Sequence, residues 1–294
     1  MQAPTDWHTI PPRLTVDDLN ALIKRRPPDT LDTIGKRRLV ISLIIFDKFL
    51  GWDWCVRHLF EATTGFLWLD FSKLEHREKT TVRLFELADN IFNLQCVDHI
   101  DACLNRLRTA NVASDQVEAT YAELEFARIL SMYNVAFRFV PEGLVKSADF
   151  EIEYPDGLRI YADSKCKLEG SVFSETTIKT TIRDARKQFH KDAGGVIFVK
   201  IPQVWAEDNY TRVRMRDAAM RYMAGTGRIA SIKYYAEMLT FEPQIIRRRY
   251  AFLEVSNPKC RIGAGRDWTL FQEKLARYPG TPGSTWFEID TLAK

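Results

Sequence analysis

The chain has 294 residues, a formal net charge of +3, 46% hydrophobic residues and 28% charged ones. That balance excludes a disordered or low-complexity chain and leaves room for one large or two medium cores. The most apolar stretch, Leu39 to Phe46, is too short to span a bilayer, and "MQAPTDWHTIPPRLT" lacks the basic start and apolar core of a signal peptide. Five cysteines, widely spread, fit free thiols better than a disulfide framework, so a cytoplasmic protein is expected.

Residues 15–110 read as helical. Thr15 is the expected N-cap of the first helix, with Asp17 and Asp18 in its first turn. "RRPPDT" (Arg25 to Thr30) breaks the chain, and a long apolar segment follows from about Asp32 to Leu59. A turn near Thr64–Gly65 precedes two more helical patterns, Glu78 to Leu94 and Val97 to Ala110. Trp52 and Trp54 read as core or interface. Cys96, His99 and Cys103 share one side of a helix, and Cys55 and His58 repeat the spacing. A zinc site can be built that way, but buried cysteines are far commoner, and core packing is expected. The glycine pairs beginning at Gly225 and Gly263 lie outside any dinucleotide fingerprint and read as turns. No Walker A loop and no Gly-x-Ser-x-Gly elbow is present.

The pattern changes near residue 112. Ser114 is the expected N-cap of a helix running to about Asn134, with Asp115 and Glu118 in its first turn. Val135 to Val140 alternates and reads as a strand. A hairpin follows, then a basic amphipathic helix from Glu175 to Lys191. Gly194 to Pro202 reads as a buried strand. A helix over about Ala206 to Met223, strands over Arg228–Phe241 and Arg247–Ser256, and a helical piece near Leu270–Arg277 complete the order. The predicted class is α/β: a mixed sheet flanked by helices in residues 113–294, behind an all-helical domain in residues 1–112.

The hairpin is "ADFEIEYPDGLRIYADSKCK", Ala148 to Lys167. Strand side chains alternate between faces. Alternation puts Asp149, Glu151 and Glu153 on one face of the first strand. On the second it puts Arg159, Tyr161, Asp163, Lys165 and Lys167 on the polar face, with Leu158, Ile160, Ala162, Ser164 and Cys166 opposite. "PDG" supplies the turn. Asp149, Asp163 and Lys165 are therefore expected on one side. Two carboxylates there can hold Mg²⁺ or Mn²⁺ through hard oxygen ligands. A lysine two residues after a metal-binding aspartate can orient water or stabilise negative charge. Asp163-Ser164-Lys165 is the only Asp/Glu-x-Lys tripeptide in the chain. Glu151, Glu153 and Asp156 read as ordinary surface acids.

These residues resemble the motif of the PD-(D/E)XK nuclease superfamily, whose members share the restriction-endonuclease-like fold. Asp149 matches the first acid and Asp163-Ser164-Lys165 the second half of the motif. Ala148 stands where the family commonly has proline, and Asp163 where glutamate is more frequent. The family core order, helix, three strands, helix, strand, matches the elements read from residue 114 on, over about residues 114–201 or as far as 256. The resemblance implies a Mg²⁺- or Mn²⁺-dependent nuclease, on DNA more than RNA, with Asp149, Asp163 and the Ser164 carbonyl as metal ligands and Lys165 catalytic. It also implies a helix glutamate near the metal. Glu123 is the candidate, because a helical wheel puts it on the small apolar face with Ala119, Phe126 and Ala127 and puts Glu125 on the solvated one. Lys167, Lys187 and Gln188 are candidates for phosphate contact. "QIIRRRY" (Gln244 to Tyr250) reads as a phosphate patch or a charged edge strand. A homodimer through the helical domain is the further partner expected. The alternative is an inactive nuclease-fold protein that binds nucleic acid or a protein.

Overall fold

A computed structural model of the chain describes residues 10–26, 33–68, 74–112, 114–141, 148–154, 156–189, 194–242, 245–262, 268 and 270. It divides into a helical unit within His8–Arg128 and an α/β unit within Ile129–Arg277. The border falls inside a helix, past the change of pattern near residue 112. Among the described residues, no helix is long and apolar enough to cross a membrane.

The helical unit holds α1 (Val16–Lys24), α2 (Ile34–Leu50), α3 (Trp52–Cys55), α4 (Leu74–Leu94), α5 (Asp101–Thr109) and most of α6 (Gln116–Met132). Thr15 caps α1 as expected: its side chain accepts from the Asp18 N–H, and the Asp18 carboxylate accepts from the Thr15 N–H. The apolar segment after Asp32 is not one helix. Gly51 ends α2 with φ of 92°, donating to the Phe46 and Asp47 carbonyls. A π-helical turn (Val56–Phe60) follows α3. Trp54 is buried, its Nε1 donating to the Leu107 carbonyl at 2.8 Å, while Trp52 is exposed. Ser114, the expected cap of α6, sends its hydroxyl instead to the Asn111 carbonyl at 2.7 Å.

The α/β unit begins with the last turn of α6. It continues through β1 (Ala136–Phe139), β2 (Phe150–Glu153), β3 (Arg159–Cys166), α7 (Glu175–Arg186) and β4 (Gly195–Lys200). It ends with α8 (Gln203–Glu207), α9 (Asn209–Met223), β5 (Ile229–Glu242) and β6 (Ile245–Ser256). Among the described residues six strands form one mixed sheet in chain order. β1, β2 and β3 pair antiparallel, β4 lies parallel to β3 and β5 parallel to β4, and β6 returns antiparallel along β5. Every residue of β4 is buried, which explains its continuous apolar run. The expected helix from Glu175 stops at Arg186, short of Lys191. The helical piece expected near Leu270–Arg277 and the first part of "QIIRRRY" lie outside the residues whose side chains are described.

One face of the sheet presents Ile197 and Val199 from β4 and Ile232 and Tyr234 from β5. These pack with Ile178, Ile182 and Ala185 of α7 and with Met215, Ala218 and Ala219 of α9. Burial there pushes the Tyr234 phenol well above its ordinary value. In the same unit, Lys233 is buried and ion-paired with Glu254. Its ammonium also donates to the Trp268 carbonyl, which the Tyr154 hydroxyl reaches at 3.1 Å, so the chain beyond β6 is tied back to the sheet.

Gly195 opens β4 because nothing larger fits. A Cβ there would stand 2.3 Å from two carbons of the Phe189 ring, closer than atoms pack. Gly195→Ala is therefore expected to destabilise the protein by about 1–3 kcal/mol in urea denaturation. Adding Phe189→Leu should recover part of that loss. Equal stability of Gly195→Ala and the parent would show that the ring yields freely.

Candidate active site

The hairpin forms in the expected register. Glu153 faces Arg159 and Phe150 faces Ala162. Gly157 takes φ of 83°, and its N–H donates to the Tyr154 carbonyl at 2.8 Å. The surface acids are engaged elsewhere. Glu151 pairs with Arg138, Glu153 pairs with Arg159 at 2.8 Å, and Asp156 accepts from the Leu158 N–H in the turn.

Continued one residue beyond Phe150 and Ala162, the register sets Asp149 across from Asp163. The Asp149 N–H donates to the Ala162 carbonyl at 3.0 Å, and its Oδ2 accepts the Ser164 N–H at 2.6 Å. The N–H and C=O of one strand residue point to the same neighbouring strand. The Ser164 carbonyl is thus directed to the Asp149 side of β3.

Asp163 departs from the pattern of its strand. Arg159 and Tyr161 on the same face are exposed, whereas Asp163 is 1% exposed. The cause is its place in the sheet. Asp163 pairs with Ile197 and Lys165 with Val199, and paired residues project to the same face. That face carries the apolar layer under α7 and α9. A carboxylate there needs a partner, and Lys165 supplies it. Its ammonium donates to Asp163 Oδ1 at 2.9 Å and lies 2.7 Å from Oδ2. The second approach is an ion pair without hydrogen-bond alignment, because Oδ2 accepts no hydrogen bond.

Two acids meet at this point. Burial first, and then the neighbouring Asp149 charge, push the Asp163 carboxyl up to about 7; Lys165 acts in the opposite direction. The Asp149 carboxyl is thus close enough to Asp163 for its charge to oppose ionisation there. Two carboxylates, one with a buried oxygen that accepts no hydrogen bond, fit a hard divalent cation that keeps several waters. Among the described residues no group of three or more His, Cys, Asp or Glu is placed to hold a metal. The Cys and His spacings of the helical unit therefore gather no such group there.

Two of the candidate phosphate contacts share one acidic neighbour that the sequence did not single out. Burial lowers the Lys167 ammonium below its ordinary value, with Lys165 adding to the shift and Cys166 and Asp184 opposing it. Lys187, exposed, donates to Asp184 Oδ1 at 3.1 Å. Asp184 of α7 is thus the common neighbour of Lys167 and Lys187. The signal for it was the i,i+3 spacing of Asp184 and Lys187 on one helix. Gln188 is half-buried, and its side-chain oxygen is buried without a hydrogen bond.

Glu123 stands in the helical unit, where its carboxylate accepts from Arg106 and from the Cys103 thiol at 3.4 Å. The expected faces of α6 are also exchanged. Glu125, expected in solvent, is fully buried, and Glu123 keeps partial exposure. The polar side of α6 is covered within its own unit: Arg128 lies 3.6 Å from Asp89 of α4, and both are nearly buried.

No protein-family model matches the chain, and no curated protein matches it.

Proposed function

We propose that the α/β unit is a metal-dependent phosphodiesterase of the PD-(D/E)XK type that cuts nucleic acid, DNA before RNA. The observation that carries this reading is the convergence of Asp149 and Asp163 on one face with the Lys165 ammonium 2.7–2.9 Å from Asp163. The order α6, β1, β2, β3, α7, β4 supports it, being the order that the restriction-endonuclease-like core would have.

Asp149, Asp163 and the Ser164 carbonyl would hold Mg²⁺ or Mn²⁺. When bound, such an ion supplies Lewis-acid neutralisation of phosphate charge and a more acidic water. The remaining work falls to the chain's own groups. The Ser164 N–H fixes the Asp149 carboxylate from below, leaving its orientation set before substrate arrives. Lys165 is partly exposed, so its ammonium can leave Asp163 for a phosphate oxygen as negative charge develops there. Lys167 and Lys187 would position flanking phosphates without reading sequence. Within its own unit the Glu123 carboxylate accepts from Arg106, and the scheme draws on the groups of the α/β unit alone.

The test is incubation with labelled single- and double-stranded DNA and RNA in Mg²⁺, Mn²⁺ or EDTA. Cleavage is expected only with a divalent cation and is expected to vanish in Asp149→Ala and Asp163→Ala. Cleavage persisting in both variants would overturn the site. A second reading, an inactive nuclease-fold protein that binds nucleic acid, is favoured by the lack of a third carboxylate among the described residues. Tight binding of a substrate with no cleavage in any metal would select it.

A further inference from the structure

β3 delivers Asp163 and Lys165 and then runs into the loop from Lys167 to Ser174. This loop emerges at the C-terminal ends of the parallel strands β3 and β4, where α/β sheets place their ligands. It is pinned by Trp205 of α8, whose Nε1 donates to the Ser171 carbonyl at 2.8 Å. The Trp205 ring, nearly buried, meets Phe173 edge-on at 5.3 Å. Phe173 in turn carries Arg214 of α9. The guanidinium lies 5.1 Å over the Phe173 ring and 5.5 Å over the Tyr210 ring, with Glu175 at 3.4 Å beside it. Tyr210, the outermost member, is 69% exposed.

The helix does not need this ring. Asp208 caps α9 by accepting the backbone N–H groups of Tyr210 and Thr211, which leaves the tyrosine side chain out of the cap. On the same helix Arg212, Arg216 and Arg221 are exposed, with Asp217 paired to Arg216 and Glu175 to Arg221, and Lys179 is exposed on the neighbouring α7. A fixed aromatic ring backed by a guanidinium and flanked by cations suits a polyanion that also offers flat faces. Nucleobases offer such faces only when unpaired, because duplex bases already stack on one another.

We infer that Phe173, Arg214 and Tyr210 form a stacking subsite for an unpaired nucleobase, which makes the substrate single-stranded nucleic acid. This rests on the nuclease reading and specifies its substrate.

The experiment uses the full chain in EDTA, so that binding is measured without cleavage. Fluorescence anisotropy follows a short labelled oligonucleotide, single-stranded or annealed to its complement. Tyr210→Ala is expected to weaken single-strand binding roughly 5- to 50-fold and duplex binding by less than about twofold. Tyr210→Phe, which keeps the ring, should bind like the parent. The inference is overturned if Tyr210→Ala leaves single-strand binding unchanged, if both forms weaken equally, or if the unsubstituted protein binds neither. Failure of the nuclease reading registers separately, as absent cleavage by the unsubstituted protein in Mg²⁺, while the single-strand-to-duplex ratio decides the subsite.

Discussion

Asp163→Asn is expected to make the protein more stable in EDTA at about pH 8 while abolishing its cleavage in Mg²⁺. The folded chain holds the Asp163 proton up to about 7, against an ordinary carboxylate value near 4, so the native state binds this proton more tightly than the unfolded chain does. The group's penalty is therefore absent below about pH 4, grows between about 4 and 7, and is complete above that. An amide copies the protonated acid and carries no penalty at any pH. The rise from about 4 to about 7, in which the attraction to Lys165 is already counted, sets a ceiling of about 4 kcal/mol on the penalty, and the amide puts an NH₂ in a buried place built around a carboxyl oxygen, so a net gain of about 1–2 kcal/mol is expected. In a thermal melt that corresponds to an upward shift of about 2–8 °C at high pH, shrinking to nothing near pH 4. Thermal melts across that range check it. A variant that melts below the parent at pH 8, or a difference independent of pH, would show that Asp163 is not held in strain by its surroundings.

The same residue marks where sequence reading ends. Strand alternation alone separates Asp163 and Lys165 from Ile160 and Ala162, and the turn at Gly157 fixes the register that brings Asp149 opposite. The two aspartates and the lysine were therefore legible from local rules. The flanking elements mark its strand as central, where a solvated face is less expected, but which residue of that face is sealed depends on β4, which joins β3 only after α7 has crossed the sheet. Tyr161 and Asp163 occupy the same face two residues apart, yet one is exposed and the other is sealed. A long-range neighbour decides that, and no periodicity records it. Helix α6 shows the opposite error. Its polar stripe through Glu125 and Arg128 reads as solvated, but Arg128 meets Asp89 and Glu125 is enclosed. A polar stripe names the residues that need polar company; it cannot say whether water or another helix provides it. The α9 surface was missed for a related reason. Tyr210 and Arg214 are ordinary in a helical pattern, and only the loop carrying Phe173 shows that they belong together.

Lys165→Ala is expected to lower the cleavage rate about 10²- to 10³-fold, the loss seen when one preorganised donor to a developing charge is removed. Its place in the sequence of events follows from its position. The ammonium contacts a carboxylate that would ligate metal but is itself no ligand, so the Mg²⁺ concentration for half-maximal activity should barely change. The oligonucleotide affinity in EDTA should fall by less than about threefold, since one partly exposed cation among several contributes little to ground-state binding. The defect should thus appear in kcat. Lys165→Arg separates charge from geometry. The guanidinium keeps the cation but spreads it over a planar fork, which cannot reach Asp163 and a phosphate oxygen as a compact ammonium can, so only partial recovery is expected. Single-turnover cleavage with enzyme in excess measures all three forms. Activity of Lys165→Ala within about threefold of the parent would remove Lys165 from catalysis. It would leave the lysine as a counter-ion that keeps a buried aspartate ionised.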